Sequence, residues 1–249
     1  MARAAERFSE LGFEDFRRMA SDETLSQYEK IGFPDDYRQG AAEAILRDIV
    51  GKLPALSSPD RTVVDIGPGC SELPRLIQDL CARHGNRLVL VDSPEMLGHL
   101  PDQPGTVKLA GQFPRCPELF ERFEGHVDAV LVYSVVQHVV VDGDLREFVD
   151  RSLDLLAHGG SMLIGDVPNA SKLARFLSSP AGREFHRAFM GSDEPAPSPE
   201  ALARRPIDDA VVMDLVARAR RAGCDAYVVP QAEDLPLANR REDIVIRRP

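Results

Sequence analysis

The chain has 249 residues, 43% of them hydrophobic and 28% charged, with 18 glycines and 19 prolines scattered along its length. This is the composition of a folded protein with room for one α/β domain and a sizeable core, and it excludes a disordered or fibrous chain. The formal net charge of −10 repels phosphate backbones and anionic membranes at long range, so neither is an expected partner. The arginine-rich pieces LARR (202–205) and ARARRAG (217–223) read as solvated helix faces. No run of about 18 apolar residues occurs, and the N-terminal stretch mixes acids with bases, so neither export nor membrane insertion is expected. The four cysteines, Cys70, Cys81, Cys116 and Cys224, form no C-x-x-C pair, which points to reduced, buried thiols in a cytoplasmic protein.

In chain order, residues 1–60 read as helical, with QGAAEAILRDIVGKL (39–53) the clearest segment. LGFEDFR (11–17) and IGFPDDYR (31–38) echo each other as two helix-entry turns. Five β-rich runs follow, TVVDIG (62–67), RLVLVDS (87–93), TVKLAG (106–111), VDAVLVYSVV (127–136) and SMLIGDV (161–167), each close to continuously apolar. Strands of that kind suit a sheet covered by helices on both faces. Between the last two, DLREFVDRSLDLLAHGG (144–160) carries one apolar face, with Gly159 expected as its stop. A long excursion, 168–206, contains the turn-rich, mobile-looking GSDEPAPSPEA (191–201) and reads as a substrate lid or as an inert surface loop. A further helical face (207–223) precedes two strands, CDAYVVP (224–230) and EDIVIRR (242–248), expected as an antiparallel pair. The fold class is therefore α/β, a doubly wound, mostly parallel sheet with a C-terminal antiparallel pair and N-terminal helices. Residues 1–60 would form a helical segment over the site, and 61–249 the main domain.

The chemistry concentrates at strand ends, where open α/β sheets bind their ligands. After the first strand, TVVDIGPGCSELP (62–74) places Asp65, Gly67 and Gly69 in a turn whose glycines admit positive φ and leave space for a ligand. The second strand ends in Asp92, 27 residues beyond Asp65. That carboxylate is placed to accept from two ribose hydroxyls, or to sit with Ser93 as a helix N-terminal acid.

With these residues, the chain resembles class I S-adenosylmethionine-dependent methyltransferases over about residues 62–167, and the terminal strand pair extends the likeness. The family's acid-x-Gly-x-Gly motif matches Asp65, Gly67 and Gly69, and its ribose acid matches Asp92, followed by Ser93. Gln112 and Phe113 stand where the family places residues against the adenine, and Tyr133 and Ser134 where the fourth strand lines the cofactor. Gln137 and His138 take the place of a family pair that often reads His-His or Glu-His. Ser71 stands where a third glycine is common, and Gln112 where an aspartate is common; an amide still donates and accepts. The resemblance implies a Rossmann-like fold, S-adenosyl-L-methionine as cofactor and methyl transfer to a small-molecule acceptor.

For a hydroxyl acceptor a base is needed. His138 is the first candidate, being largely neutral at its unperturbed pKa, or else it is a packing residue at a helix start. Asp166 is the second candidate base, or a carboxylate that orients substrate, as Asn169 can. No acid cluster suggests a metal site. The phrases YEKIGFP (28–34), GPGCSEL (67–73) and REDIVIRRP (241–249) resemble methyltransferases of surface-carbohydrate and sugar-nucleotide pathways, implying a carbohydrate-like acceptor. A homodimer is left open. Two other readings remain: an NAD-dependent oxidoreductase, disfavoured because Glu72 stands where the third fingerprint glycine and a pyrophosphate would be, and a cofactor-binding partner protein without catalysis.

Overall fold

A computed structural model describes residues 8, 10–190 and 197–249. The strands are β1 (Thr62–Ile66), β2 (Arg87–Asp92), β3 (Thr106–Ala110), β4 (Val127–Tyr133), β5 (Leu156–Pro168), β6 (Asp225–Pro230) and β7 (Arg241–Arg247). The α-helices are α1 (Phe13–Ser21), α2 (Asp35–Arg38), α3 (Ala42–Lys52), α4 (Glu72–Arg83), α5 (Pro94–Gly98), α6 (Pro117–Phe123), α7 (Val136–Asp142), α8 (Leu145–Leu155), α9 (Ala170–Ser178), α10 (Pro180–Met190), α11 (Pro199–Ala203) and α12 (Asp209–Arg221).

The sheet runs β3-β2-β1-β4-β5-β7-β6, parallel except for β7, which lies antiparallel between β5 and β6. The apolar strands divide with period two. Val64, Val89, Val130 and Ile164 face one core with Leu119 of α6, Phe148 of α8 and Leu215 of α12. Their neighbours Val63, Leu88, Leu131 and Leu163 face a second core with Ile49 of α3 and Ile77 of α4. A shift of one residue would exchange every side chain between these layers, and this fixes the register. The order reverses between β1 and β4, so the crevice lies at the carboxyl ends of those two strands.

Three expectations need correction. β4 stops at Tyr133 instead of running to Val136, because Ser134 turns to φ +60° and α7 begins. Gly159 does not end α8: the helix stops at Leu155, and Gly159, at φ +79°, lies in an irregular stretch of β5 opposite β4. The 168–206 excursion is mostly helical, α9 to α11, with Leu173, Leu177 and Leu202 in a small core of their own. Of the turn-rich segment, 191–196 lies outside the described residues. Among the described residues no helix is long and apolar enough to cross a membrane, and the four cysteines are free and buried.

Candidate active site

The carboxyl edge of β1, β2 and β4 opens into a cavity with about 1120 Å³ of empty space including its mouth. One wall is the glycine turn. Gly67 and Gly69 adopt φ +70° and +67°, and a Cβ on either would approach Val135 Cγ2 to 2.7 Å or Ile31 Cγ2 to 2.6 Å. Glycine is thus required twice, for the backbone conformation and for the close approach. Ser71 precedes α4 in extended conformation and Glu72 opens it.

Asp92 lines the cavity at the end of β2. Its Oδ2 accepts from the Gly69 amide at 3.0 Å and its Oδ1 from the Ser93 amide at 2.7 Å. Burial lifts the carboxyl to about 6 against the pull of these amides. Asp65 sits in β1 beneath the turn, 3% exposed and outside the cavity lining; burial, then the nearby Asp92, raises it to about 8. The Ser93 side chain also stays out of the cavity, capping α5 by accepting from the Met96 amide at 3.2 Å. Gln112 and Phe113 line the side next to β3, where Phe113 packs edge-on against Phe148 with ring centroids 4.9 Å apart.

At the other end stand Tyr133, Ser134 and His138. The carbonyl of Leu11 lies 3.2 Å from His138 Nδ1 and can only accept, so Nδ1 carries the proton and Nε2 the lone pair. Burial, with a smaller contribution from Arg241, lowers His138 to about 4. Its ring meets Phe16 edge-on at 4.6 Å.

Asp166, at the end of β5, does not line the cavity; it is 1% exposed and bonded on all sides. Its Oδ2 accepts from Arg38 Nη2, from Arg241 Nη1 at 2.9 Å and from Ser134 Oγ at 2.5 Å, and its backbone amide donates to Asp243 at 2.8 Å. A carboxylate bonded to two guanidinium groups and a hydroxyl, and turned away from the cavity, is a firm anchor. Ser134 and Asp166 both sit at φ +60°, left-handed backbone at adjacent strand ends, a strain found where structure is tied to function. Asn169 is likewise structural: it caps α9 through Lys172 N at 3.0 Å and donates to Asp209 and Glu242.

The N-terminal helices roof this edge. Arg17 of α1 forms a two-pronged ion pair with Glu95 of α5 at 2.7 and 3.0 Å, and Phe13 N donates to Asp142 at 2.7 Å. Phe16, Tyr28, Ile31, Phe33 and Arg38 reach from this roof into the same cavity as the glycine turn. None of the five was a site candidate from sequence: LGFEDFR (11–17), YEKIGFP (28–34) and IGFPDDYR (31–38) contain them, but as helix-entry turns or as part of a family likeness, with no role for the individual side chains. Among the described residues no group of three or more His, Cys, Asp or Glu is arranged to hold a metal ion.

This sheet order and strand-end crevice define the class I methyltransferase architecture, and solved structures agree. The N-methyltransferase NodS from Bradyrhizobium japonicum WM9, in complex with S-adenosyl-L-homocysteine, matches with TM-score 0.55 and 14% identity, covering 95% of this chain and 98% of that one. The plantazolicin methyltransferase BamL, with a triazolic desmethylPZN analog and S-adenosylhomocysteine, matches with TM-score 0.57 and 14% identity over 99% and 98% of the two chains. A possible histamine N-methyltransferase from Thermotoga maritima matches with TM-score 0.51 and 15% identity over 95% and 98%. At such identities the likeness establishes the fold, the one the sequence implied. No protein-family model and no curated protein matches the chain.

Proposed function

We propose that the protein is an S-adenosylmethionine-dependent methyltransferase acting on a hydroxyl of a small, carbohydrate-like molecule. The observation that carries this is one cavity holding both halves of the chemistry: the glycine turn with Asp92 at one end, and a neutral, carbonyl-oriented His138 at the other. The fold neighbours, two of them bound to S-adenosylhomocysteine, support the cofactor.

The residues fit an adenosyl ligand. Asp92 retains lone pairs for ribose hydroxyls, Phe113 and Gln112 offer a ring face and an amide for the base, and the glycine turn leaves space that any Cβ would fill. Glu72, hostile to a pyrophosphate, is harmless to a ligand without phosphate. When bound, the cofactor supplies an electrophilic methyl group on a sulfonium. The protein's part is to align the acceptor with that methyl and exclude water, which the roof residues Phe16, Ile31 and Phe33 do. His138 Nε2 takes the hydroxyl proton as the new bond forms; its depressed pKa keeps it in the accepting form throughout the neutral range. The proton goes to an imidazole, so the scheme calls for no metal.

The named neighbours include N-directed enzymes, so the choice of a hydroxyl rests on His138. The test is incubation with methyl-labelled cofactor and a panel of sugars, nucleotide sugars and hydroxylated metabolites. Transfer to a hydroxyl is expected, with His138→Ala lowering kcat by about 10²–10⁴. Tight cofactor binding without transfer to any acceptor would favour a non-catalytic binding protein, and a variant within about threefold of wild type would remove His138 as the base.

A further inference from the structure

We infer that Asp142 is a positioning residue for the base: it clamps the backbone of residues 11–13 against α7, so that the Leu11 carbonyl holds the His138 ring with its lone pair on Nε2. This rests on the proposed reading of His138 and gives the Leu11–Phe13 backbone a part in the chemistry.

His138 and Asp142 stand four residues apart on α7, about one turn, and so share a face. Both reach the same three residues of the roof. His138 Nδ1 donates to the Leu11 carbonyl at 3.2 Å, and Asp142 Oδ2 accepts from the Phe13 amide at 2.7 Å. Leu11 and Phe13 flank Gly12, so the two bonds fix the strip on both sides of it. The fit is close, since a Cβ on Gly12 would lie 2.6 Å from Asp142 Oδ2. Gly12 has φ −98°, which any residue adopts, so the close approach of Asp142 is what calls for glycine there.

Asp142 is placed against the preference of its own helix. It is the last residue of α7, where the helix dipole disfavours a negative charge, and its carboxylate serves the first turn of α1, where the dipole favours one. Gly12, the residue before α1, has no side chain to cap it. Asp142 therefore meets the Phe13 amide, one of the donors that a helix start leaves without an intrahelical partner.

A neutral imidazole can carry its proton on either nitrogen, and only the form with a bare Nε2 accepts there from a hydroxyl. The other groups that face the ring do not choose between the two forms by a hydrogen bond. Phe16 of α1 meets it edge-on, while Arg241 of β7 and Asp166 of β5 act on it through charge. Among the described residues the Leu11 carbonyl is the hydrogen-bond partner of the ring, and Asp142 keeps that carbonyl in place.

Long-range proton–nitrogen NMR of the imidazole rings reads the tautomer directly in the nitrogen-15-labelled full chain at pH 7. His138→Gln identifies the His138 signals among the six histidines. The wild-type ring is expected in the Nδ1–H form. Asp142→Ala should lower the ratio of that form to the Nε2–H form by roughly 2- to 10-fold, the worth of one hydrogen bond. Asp142→Asn, whose amide oxygen still accepts, should keep the wild-type pattern. Gly12→Ala pushes on Asp142 without removing it and should give the same loss; it takes the place of Asp142→Ala should that variant not fold, as thermal unfolding reports. A wild-type ring protonated on Nε2 overturns the assignment, as does an unchanged ratio in Asp142→Ala, or in Gly12→Ala where it takes that place. An equal loss in Asp142→Asn and Asp142→Ala overturns it too. Titration of the same wild-type sample with S-adenosylhomocysteine tests the reading separately: absence of binding overturns the methyltransferase reading, and with it the catalytic purpose of the clamp, whatever the tautomer.

Discussion

Asp92 makes the affinity for an adenosyl ligand depend on pH in a way the structure sets. A carboxyl lifted to about 6 is the acceptor for ribose hydroxyls, and only its ionised form accepts without presenting a proton of its own. The ionised fraction is about 0.9 at pH 7 and about 0.1 at pH 5. Affinity for S-adenosylhomocysteine should therefore fall about tenfold between those values, equivalent to about 1.4 kcal/mol. The sign follows from the raised pKa: binding is full above the folded value and is lost as pH falls through it. Burial holds the neighbouring His138 down at about 4, and burial with the charge of Asp92 holds Asp65 up at about 8, so Asp92 is the cavity carboxyl expected to change charge between pH 5 and 7. Calorimetry at half-unit steps from pH 5 to 7.5 measures the profile, and Asp92→Asn supplies the control, weaker throughout and flat. An unchanged wild-type affinity from pH 5 to 7, or the same slope in Asp92→Asn, would refute Asp92 as the ribose acceptor.

Gly69→Ala forces a Cβ to 2.6 Å from Ile31 at φ +67°, so it should cost about 1–2 kcal/mol, lower Tm by a few degrees and weaken adenosyl binding more than tenfold. An unchanged Tm in scanning calorimetry would contradict that geometry. Asp144 caps α8, accepting from the amides of Arg146 and Glu147 at 2.8 and 3.3 Å. Asp144→Ala should lower stability by about 1 kcal/mol in a denaturant titration and leave ligand affinity unchanged.

The glycine turn and Asp92 were legible because their chemistry is local: a strand end, two glycines and an acid at a fixed distance. The sheet was legible because buried parallel strands are apolar on both faces, as Leu88 to Val91 are. The end of α8 was not, since Leu156 to His158 suit a helix and only the pairing of Leu156 with Val127 of β4 draws the chain into a strand there. The helices of 168–206 were hidden by flanking prolines and serines, although Leu173 and Leu177 lie one turn apart. Arg38 was beyond reach for a different reason. Its partners Ser134 and Asp166, and Arg241 across Asp166, lie 96 to 203 residues away in sequence, and only the fold joins them. The same contacts turn Asp166 from a candidate base into an anchor.

The central claim, that the strand-end crevice is built for an adenosyl cofactor without phosphate, is tested most directly by calorimetric titration of the purified protein with S-adenosylhomocysteine and, separately, with NADH. Saturable one-to-one binding of S-adenosylhomocysteine and none of NADH is the predicted result; binding of NADH without S-adenosylhomocysteine would contradict it.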